Sequence, residues 1–448
     1  MTTASAEVQR GVVSSRGLAA AWLAIAAALL LAVGTSSTDP TPATLLAVLA
    51  FVMSTAAATG IGRSSLSGLR ERSLVTVLAV GIGLEVVVGI LAPAVLDARF
   101  MLLFGIAGAI GLYTLFAPAS HQRLGLLLVV AIHFGLMLWM FAAVPLRDMD
   151  VHLVQQEASA ALLAGVNPYS ITFENMYGYG TPLYPIEVQE GDRVTFGFPY
   201  PPLSLLMAIP GFALFGDYRV SALVAVSITA ILIGTMRKGT LSAGAALMVL
   251  FSPLTARVLH NGWTEPFVAV LLAATVYLAV RRVAAMPLAL GLLVATKQYA
   301  VVLLPIAMGL LTEARSRVGP LRMFVLAAGV ACLTAVPFLL WDPERFLFST
   351  VVLQTFQPLR EDGATLAALL TRMGLWVPPA WVGLALVAAL ILVVLRKAKA
   401  TPSGFSIAAA VVLIGLFLLS RSAFMNYYFL ATIALLCSVA ATALEVDE

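Results

Sequence analysis

Long apolar runs, interrupted by small groups of charged residues, make up most of the chain. Many of these runs reach the roughly 20 residues that a helix needs to cross a bilayer. Between Leu18 and Leu31 the polar and apolar positions do not alternate, which argues against the strands of a membrane barrel. The pattern therefore predicts about fourteen helices, near 18–34, 43–61, 73–95, 100–117, 124–145, 218–236, 241–259, 265–282, 285–296, 298–312, 321–341, 379–395, 404–420 and 423–443.

Composition supports the same fold class. The chain has 448 residues, of which 61% are hydrophobic and only 11% are charged, whereas a soluble protein carries about a quarter charged residues. Every backbone polar group inside lipid needs a partner, and a helix provides it internally. We therefore expect an all-α integral membrane protein. Cys332 and Cys437 both lie inside apolar runs, so neither a disulfide framework nor a zinc site is expected.

Basic residues predict how the helices are oriented. The net charge of +4 comes from residues near the ends of the apolar runs, so we interpret it as an orientation signal and expect no nucleic-acid partner. With Arg10 and Arg16 in the cytoplasm, most basic loops lie on the inner side and both termini are cytoplasmic. The segment 146–199, with seven acids and two arginines, then lies outside. This orientation requires 201–216 to lie in the outer interface without crossing.

Two outer loops are predicted, 146–217 and 342–378. The first begins with apolar residues at helical spacing, which predicts an amphipathic surface helix that Gly165 ends. A second short helix is expected near 364–373. The residues that carry the amphipathic pattern are Val151, Val154, Ala158 and Leu162.

Polar and charged residues gather at the predicted outer ends of several helices. Such residues are costly near lipid and are candidates for function. Their gathering on one side predicts a site at the outer membrane surface. The candidates are Asp148, Asp150, His260, Asn261, Glu265, Lys297, Arg360, Arg421, Asn426, Tyr427 and Tyr428.

Several of these motifs resemble one family. Asp150 and the helix after it resemble the first outer loop of the GT-C glycosyltransferases, and the nearest likeness is to bacterial polyprenyl-phosphate-mannose-dependent mannosyltransferases. The likeness covers roughly 124–443, so 1–123 is interpreted as an N-terminal extension of four transmembrane helices before a GT-C-like core, 124–448. The motifs that carry it are Asn167-Pro168-Tyr169, Phe198-Pro199-Tyr200-Pro201-Pro202, His260-Asn261-Gly262-Trp263, Lys297-Gln298-Tyr299 and Asn426-Tyr427-Tyr428.

Two positions depart from the family pattern. The acidic loop usually follows the first helix of the family, whereas here it follows the fifth predicted helix. His260 stands where the family usually has glutamine, which bears on the substrate class.

The resemblance implies an inverting transfer of a sugar, mannose first, from a polyprenyl-phosphate donor. The acceptor would be a glycolipid or cell-envelope glycan on the outer face of the bacterial plasma membrane. Because a phosphate is already a good leaving group, the reaction needs one base and cations that hold the phosphate.

The resemblance also implies a role for each candidate. Asp150 is the expected base, and Lys297, Arg360 and Arg421 are the expected cations for the phosphate. The other candidates would shape the pocket, orient sugar and acceptor, or stack on the sugar; they are Asp148, His260, Asn261, Glu265, Tyr427 and Tyr428.

Simpler interpretations of the same residues remain open. Asp150 could be only a helix cap, the basic residues could contact headgroups, and the tyrosines could be interface anchors. No cofactor is expected to be required, since protein cations can hold a monosugar lipid phosphate. Asp148 and Asp150 could also bind magnesium or manganese.

Three other functions stay open. A transporter or flippase of a lipid-linked saccharide would need polar residues near the bilayer midplane, where Glu85 and His133 are the main candidates. A polymerase or ligase with a lipid diphosphate donor, and a scaffold without activity, are the others.

Overall fold

The structure is a computed structural model, which describes residues 15–34, 40–60, 71–91, 98–146, 149–312 and 319–442. These residues are mostly helical. In chain order the helices are α1 (Ser15–Gly34), α2 (Pro40–Thr59), α3 (Glu71–Leu91), α4 (Ala98–Phe116), α5 (Ala119–Ala143), α6 (Asp150–Leu163), α7 (Pro202–Phe215), α8 (Arg219–Gly234), α9 (Thr240–Phe251), α10 (Pro253–His260), α11 (Glu265–Val280), α12 (Met286–Val294), α13 (Leu303–Thr312), α14 (Pro320–Trp341), α15 (Pro343–Leu347), α16 (Leu353–Thr355), α17 (Leu366–Arg372), α18 (Ala380–Lys397), α19 (Pro402–Leu419) and α20 (Met425–Ala441).

Eight of the described helices are long and apolar enough to cross a membrane, or up to ten if two bent pairs each form one span. The chain is therefore a mostly helical protein with at least eight candidate membrane spans. Glu265–Val280, Gln298–Thr312 and Met425–Ala441 are apolar as well but shorter. The larger number of about fourteen spans stays a prediction, because it requires these shorter helices to cross too.

The two bent pairs are α9 with α10 and α7 with α8. The predicted helix 241–259 is two helices, α9 and α10, which meet at 47°. Pro253 begins α10 and has no N–H to continue the hydrogen bonds of α9. The segment 201–216, expected in the interface, is α7, and it meets α8 at 117°. Gly216 ends α7 in a left-handed conformation, with φ +71°, and so permits this turn.

The centre of the bundle is α20. Every residue of this helix except Tyr427 is buried, and it packs against α19, α11, α9 and α1. The first helices join the same core, since α2 packs on α19 and α3 on α9. The described residues therefore form one large apolar cluster across position 123, and the division of the chain there stays a prediction.

Between α5 and α7 the chain forms α6 and a small antiparallel sheet with the order β1-β3-β2. Its strands are β1 (Phe173–Glu174), β2 (Gln189–Glu190) and β3 (Arg193–Val194). A helix was predicted at this place, and Gly165, with φ +75°, follows its end as expected. Its amphipathic surface position stays a prediction, because Gln155 and Ser159, expected on the polar face, are buried. Aromatic side chains of this segment form a second apolar cluster, in which Tyr169 contacts both Phe198 and Phe346.

The proline-rich strip 198–202 joins distant parts of the chain. Tyr169 donates its hydroxyl proton to the backbone oxygen of Tyr200 at 2.9 Å. Gln298 donates from Nε2 to the backbone oxygens of Pro199, at 2.7 Å, and Thr350, at 3.0 Å. The side chains of Tyr169 and Gln298 therefore both hold the backbone of the strip, which fixes the position of the Tyr200 ring.

Gly197, just before the strip, has no room for a side chain. A Cβ atom there would overlap the backbone carbonyl of Tyr169. We expect Gly197→Ala to lower the free energy of unfolding by about 1–3 kcal/mol, the usual cost of overpacking. Thermal unfolding in detergent measures this change.

Gly135→Ala is the matched control, because no atom lies within 4 Å of the position that its Cβ would take. This variant should be as stable as the wild type or slightly more stable, since alanine is the better helix former. Equal stability of both variants would show that the strip tolerates displacement.

Candidate functional site

A cavity of about 710 Å³ opens between α6, the strip 198–202, the segment 353–362 and one end of the helices α18–α20. This cavity is called the pocket below. Its lining brings together six of the predicted site residues, which come from well-separated parts of the chain: Asp150, Lys297, Arg360, Arg421, Asn426 and Tyr427.

Asp150 is the first residue of α6, and Met149 occupies the N-cap position before it. The interpretation of Asp150 as an N-cap is therefore wrong. Its Oδ1 accepts a hydrogen bond from the backbone N–H of Val151 at 2.7 Å. A carboxylate in the first turn is stabilised by the positive end of the helix dipole.

Two tyrosines missed by the sequence analysis lie beside Asp150. Tyr184 donates its hydroxyl proton to Oδ2 of Asp150 at 3.3 Å. Burial and the charge of Asp150 raise the pKa of Tyr177 to about 12, and they raise the pKa of Tyr184 too. Both phenols therefore stay protonated at neutral pH, and Tyr184 can orient the carboxylate. Their only sequence signal was the aromatic-rich stretch that contains them.

Lys297 forms a buried ion pair. Its Nζ lies 3.5 Å from Oε1 of Glu265, and both side chains are almost completely buried. The same ammonium lies 3.7 Å from the centre of the Tyr200 ring, a distance typical of a cation–π contact. Lys297 lines the pocket, whereas Glu265 lies behind it as a counter-ion.

Arg360 and Arg421 lie on two segments that are joined through their backbones. The N–H of Arg360 donates to the backbone oxygen of Arg421 at 3.0 Å. Arg360 also binds both carboxylate oxygens of Asp362, at 2.9 and 2.8 Å. Within the described part of the chain no carboxylate pairs with Arg421, so this arginine keeps its charge available to the pocket.

The remaining candidates differ in position. His260 and Asn261 end α10 outside the pocket lining, and the backbone oxygen of His260 accepts a hydrogen bond from Arg219 at 3.1 Å. Tyr428 is buried and donates its hydroxyl proton to the backbone oxygen of Ala364 at 2.7 Å. Asp148 lies outside the described residues. The substrate contacts expected of these four residues therefore stay predictions.

A second network fixes the start of α6 against the turn after α10. The His152 ring stacks on Tyr218 with centres 5.3 Å apart, and Tyr218 donates its hydroxyl proton to the backbone oxygen of Gly262. Arg219 pairs with Asp217 at 2.7 Å. Burial, with a contribution from the charge of Arg219, lowers the pKa of His152 to about 4.

Comparison with known proteins identifies no family: no family model, no curated protein and no solved structure matches the chain. Among the described residues, no group of three or more His, Cys, Asp or Glu side chains is placed to hold a metal ion.

The Lys297–Glu265 pair generates a prediction about stability. Glu265→Gln leaves a buried cation without its counter-ion, and we expect a loss of about 3–5 kcal/mol in the free energy of unfolding. The double variant Glu265→Gln/Lys297→Met removes both charges and should recover most of that loss. Chemical unfolding in detergent measures both. Equal destabilisation by the two variants would exclude charge compensation as the role of Glu265.

His152 generates a prediction about pH. Below pH 6.5 the unfolded chain takes up a proton that the folded chain accepts only near pH 4, so stability falls as pH decreases between these values. We expect this residue to account for up to about 3 kcal/mol of the fall. His152→Phe keeps a ring on Tyr218 and should reduce the pH dependence. An unchanged dependence in His152→Phe would contradict the assignment.

Proposed function

We propose that the chain is a GT-C-type glycosyltransferase that transfers a sugar from a polyprenyl-phosphate donor to a glycolipid or cell-envelope glycan. The observation that carries the proposal is the pocket itself. It brings the expected base, Asp150, together with the three expected phosphate cations, Lys297, Arg360 and Arg421. One carboxylate and a few cations are what this transfer needs.

The reaction is a single displacement. The oxygen of an acceptor hydroxyl forms a bond to the anomeric carbon, and the bond from that carbon to the phosphate oxygen breaks. The bonding electron pair leaves with the polyprenyl phosphate, and the hydroxyl proton passes to Asp150. Attack from the side opposite the phosphate inverts the anomeric centre. The hydrogen bond from Tyr184 holds the carboxylate in position.

The charges of the pocket favour a donor with one phosphate. Arg360 is paired with Asp362 and Lys297 with Glu265, which leaves Arg421 as the unpaired cation among the described pocket residues. A sugar linked through a phosphodiester carries one negative charge, which Arg421 can neutralise. A lipid diphosphate carries more charge and would need further cations.

The apolar wall of the pocket favours a lipid-linked donor. Residues of α18 and α19, among them Gly383, Val387 and Leu416, line one side of the cavity. The helix α18 has little buried surface, and Trp381 and Leu384 are 68% and 65% exposed. Such a wall beside an exposed apolar helix suits a molecule with a polar head and a hydrocarbon chain.

The finer features of the proposal come from the sequence. About fourteen spans, an outer position of the pocket and a plasma-membrane location follow from the apolar runs and from the positive-inside rule. Mannose as the sugar, with arabinose or glucose as the next choices, comes from the family resemblance.

The test is transfer of radiolabelled sugar by the purified chain in lipid nanodiscs. The donor is polyprenyl-phosphate-mannose, and the acceptor is a total glycolipid extract. Asp150→Asn keeps the size of the side chain and removes the base, so we expect a loss of about a hundredfold or more in rate. Glu187→Gln, which removes an exposed carboxylate of the same segment, should transfer at the wild-type rate.

Other results would separate the alternatives. Wild-type transfer that Asp150→Asn does not slow would keep the enzyme and exclude Asp150 as the base. Absence of transfer from mannose, arabinose and glucose donors, together with movement of a labelled lipid-linked saccharide across the bilayer, would replace the proposal with a flippase.

A further inference from the structure

The end of the bundle opposite the pocket carries two neighbouring cavities, of about 370 and about 350 Å³. They share Arg237, Lys238 and Gly239, and are called the basic cavities below. Arg281 lines the first and Arg123 the second. No acidic residue is among the described residues that line either cavity, so four cations face these spaces without an anion.

The helix α20 shows that this end is opposite the pocket. Its first turn, with Asn426, lines the pocket, whereas Ala440 at its far end lines the first basic cavity. The helix has 17 residues, so about 25 Å separates the two ends. By the positive-inside rule this end faces the cytoplasm.

Arg237 and Arg281 also donate hydrogen bonds to backbone oxygens, but these bonds use only some of their N–H groups. Arg237 donates from Nε to the backbone oxygen of Ala441 at 2.9 Å, and Arg281 donates from one terminal nitrogen to the backbone oxygen of Thr235 at 2.7 Å. Their other guanidinium donors have no acceptor among the described residues. Burial and the like charges of Arg281 and Arg282 lower the pKa of Arg237.

Two helix N-termini add to the positive potential. The second basic cavity is lined by Ser120 in the first turn of α5, and the first by Thr240, the first residue of α9. Neither helix has an acidic residue in its first turn, whereas α6 and α11 begin with Asp150 and Glu265. The starts of α5 and α9 therefore lie at the basic cavities, and no acid in either first turn compensates the positive end of the helix dipole.

We propose that the basic cavities bind the phosphate of an anionic phospholipid headgroup from the inner leaflet. Clusters of Lys and Arg between membrane helices at the cytoplasmic surface suit such headgroups. Donors for a phosphodiester come from the remaining N–H groups of Arg237 and Arg281, from the ammonium of Lys238 and from the start of α9. The site is separate from the pocket and does not depend on the transfer reaction.

The test is native mass spectrometry of the full chain in detergent, titrated with phosphatidylglycerol or phosphatidylcholine. We expect the first phosphatidylglycerol to bind about tenfold or more tightly than phosphatidylcholine. Lys238→Gln/Arg281→Gln should remove most of this preference. The matched control, Arg396→Gln/Lys397→Gln, removes two charges from the last turn of α18 and should keep it.

The variant Thr240→Glu distinguishes a loss of the lipid site from a loss of lipid binding that poor folding causes. A carboxylate at the first position of α9 stabilises the helix and occupies the cavity with a negative charge. This variant should lose the lipid preference without a lower unfolding temperature.

Three results would overturn the proposal. One is an equal loss of the preference for phosphatidylglycerol in the α18 control, which would show that any basic residue at this end of the bundle has the same effect. Another is displacement of the bound lipid by millimolar inorganic phosphate, which would assign the site to a soluble anion. The third is much tighter lipid binding after neutralisation of Glu445, Asp447 and Glu448, which would assign the cavities to that acidic segment.

Discussion

A hydrocarbon interior does not solvate charge, and this constraint decides where the chain can carry chemistry. Ionisable side chains have to lie at helix ends or find a partner. The helix α11 shows both outcomes: Glu265 at its first turn compensates Lys297, and Arg281 follows its last turn beside the basic cavities. The same constraint leaves the middle of α20 to small and apolar residues, so that this helix can form the centre of the core.

Compensation of charge also shapes what the pocket can bind. Two of its three cations have carboxylate partners within the described chain, and these partners limit the net positive charge while keeping the donors in place. Lys297 is buried and contacts both the Glu265 carboxylate and the Tyr200 ring, so its ammonium group is held in one position. The pocket is therefore better suited to orient one phosphodiester than to collect anions in general.

The sequence predicted the parts of the site that local patterns determine. The apolar runs predicted most of the long helices, Gly165 predicted the end of α6, and the short helix expected near 364–373 is α17. Partners that depend on tertiary contacts were missed. Tyr184 reaches Asp150 through the turns between α6 and α7, and the ion pair of Glu265 with Lys297 was not predicted. The bend between α9 and α10 was missed because apolar periodicity does not register a proline within a hydrophobic run.

The proposed base and the proposed phosphate cations lie on different parts of the chain. Asp150 belongs to α6, which the stacking of His152 on Tyr218 ties to α8. Arg360 and Arg421 belong to segments that bind each other through backbone hydrogen bonds. Gln298, by donating to Pro199 on one side and Thr350 on the other, holds the strip 198–202 against the α15–α16 region. The distance between the proposed base and the proposed phosphate site therefore depends on residues that touch neither, and a donor that spans both would be held by the whole arrangement.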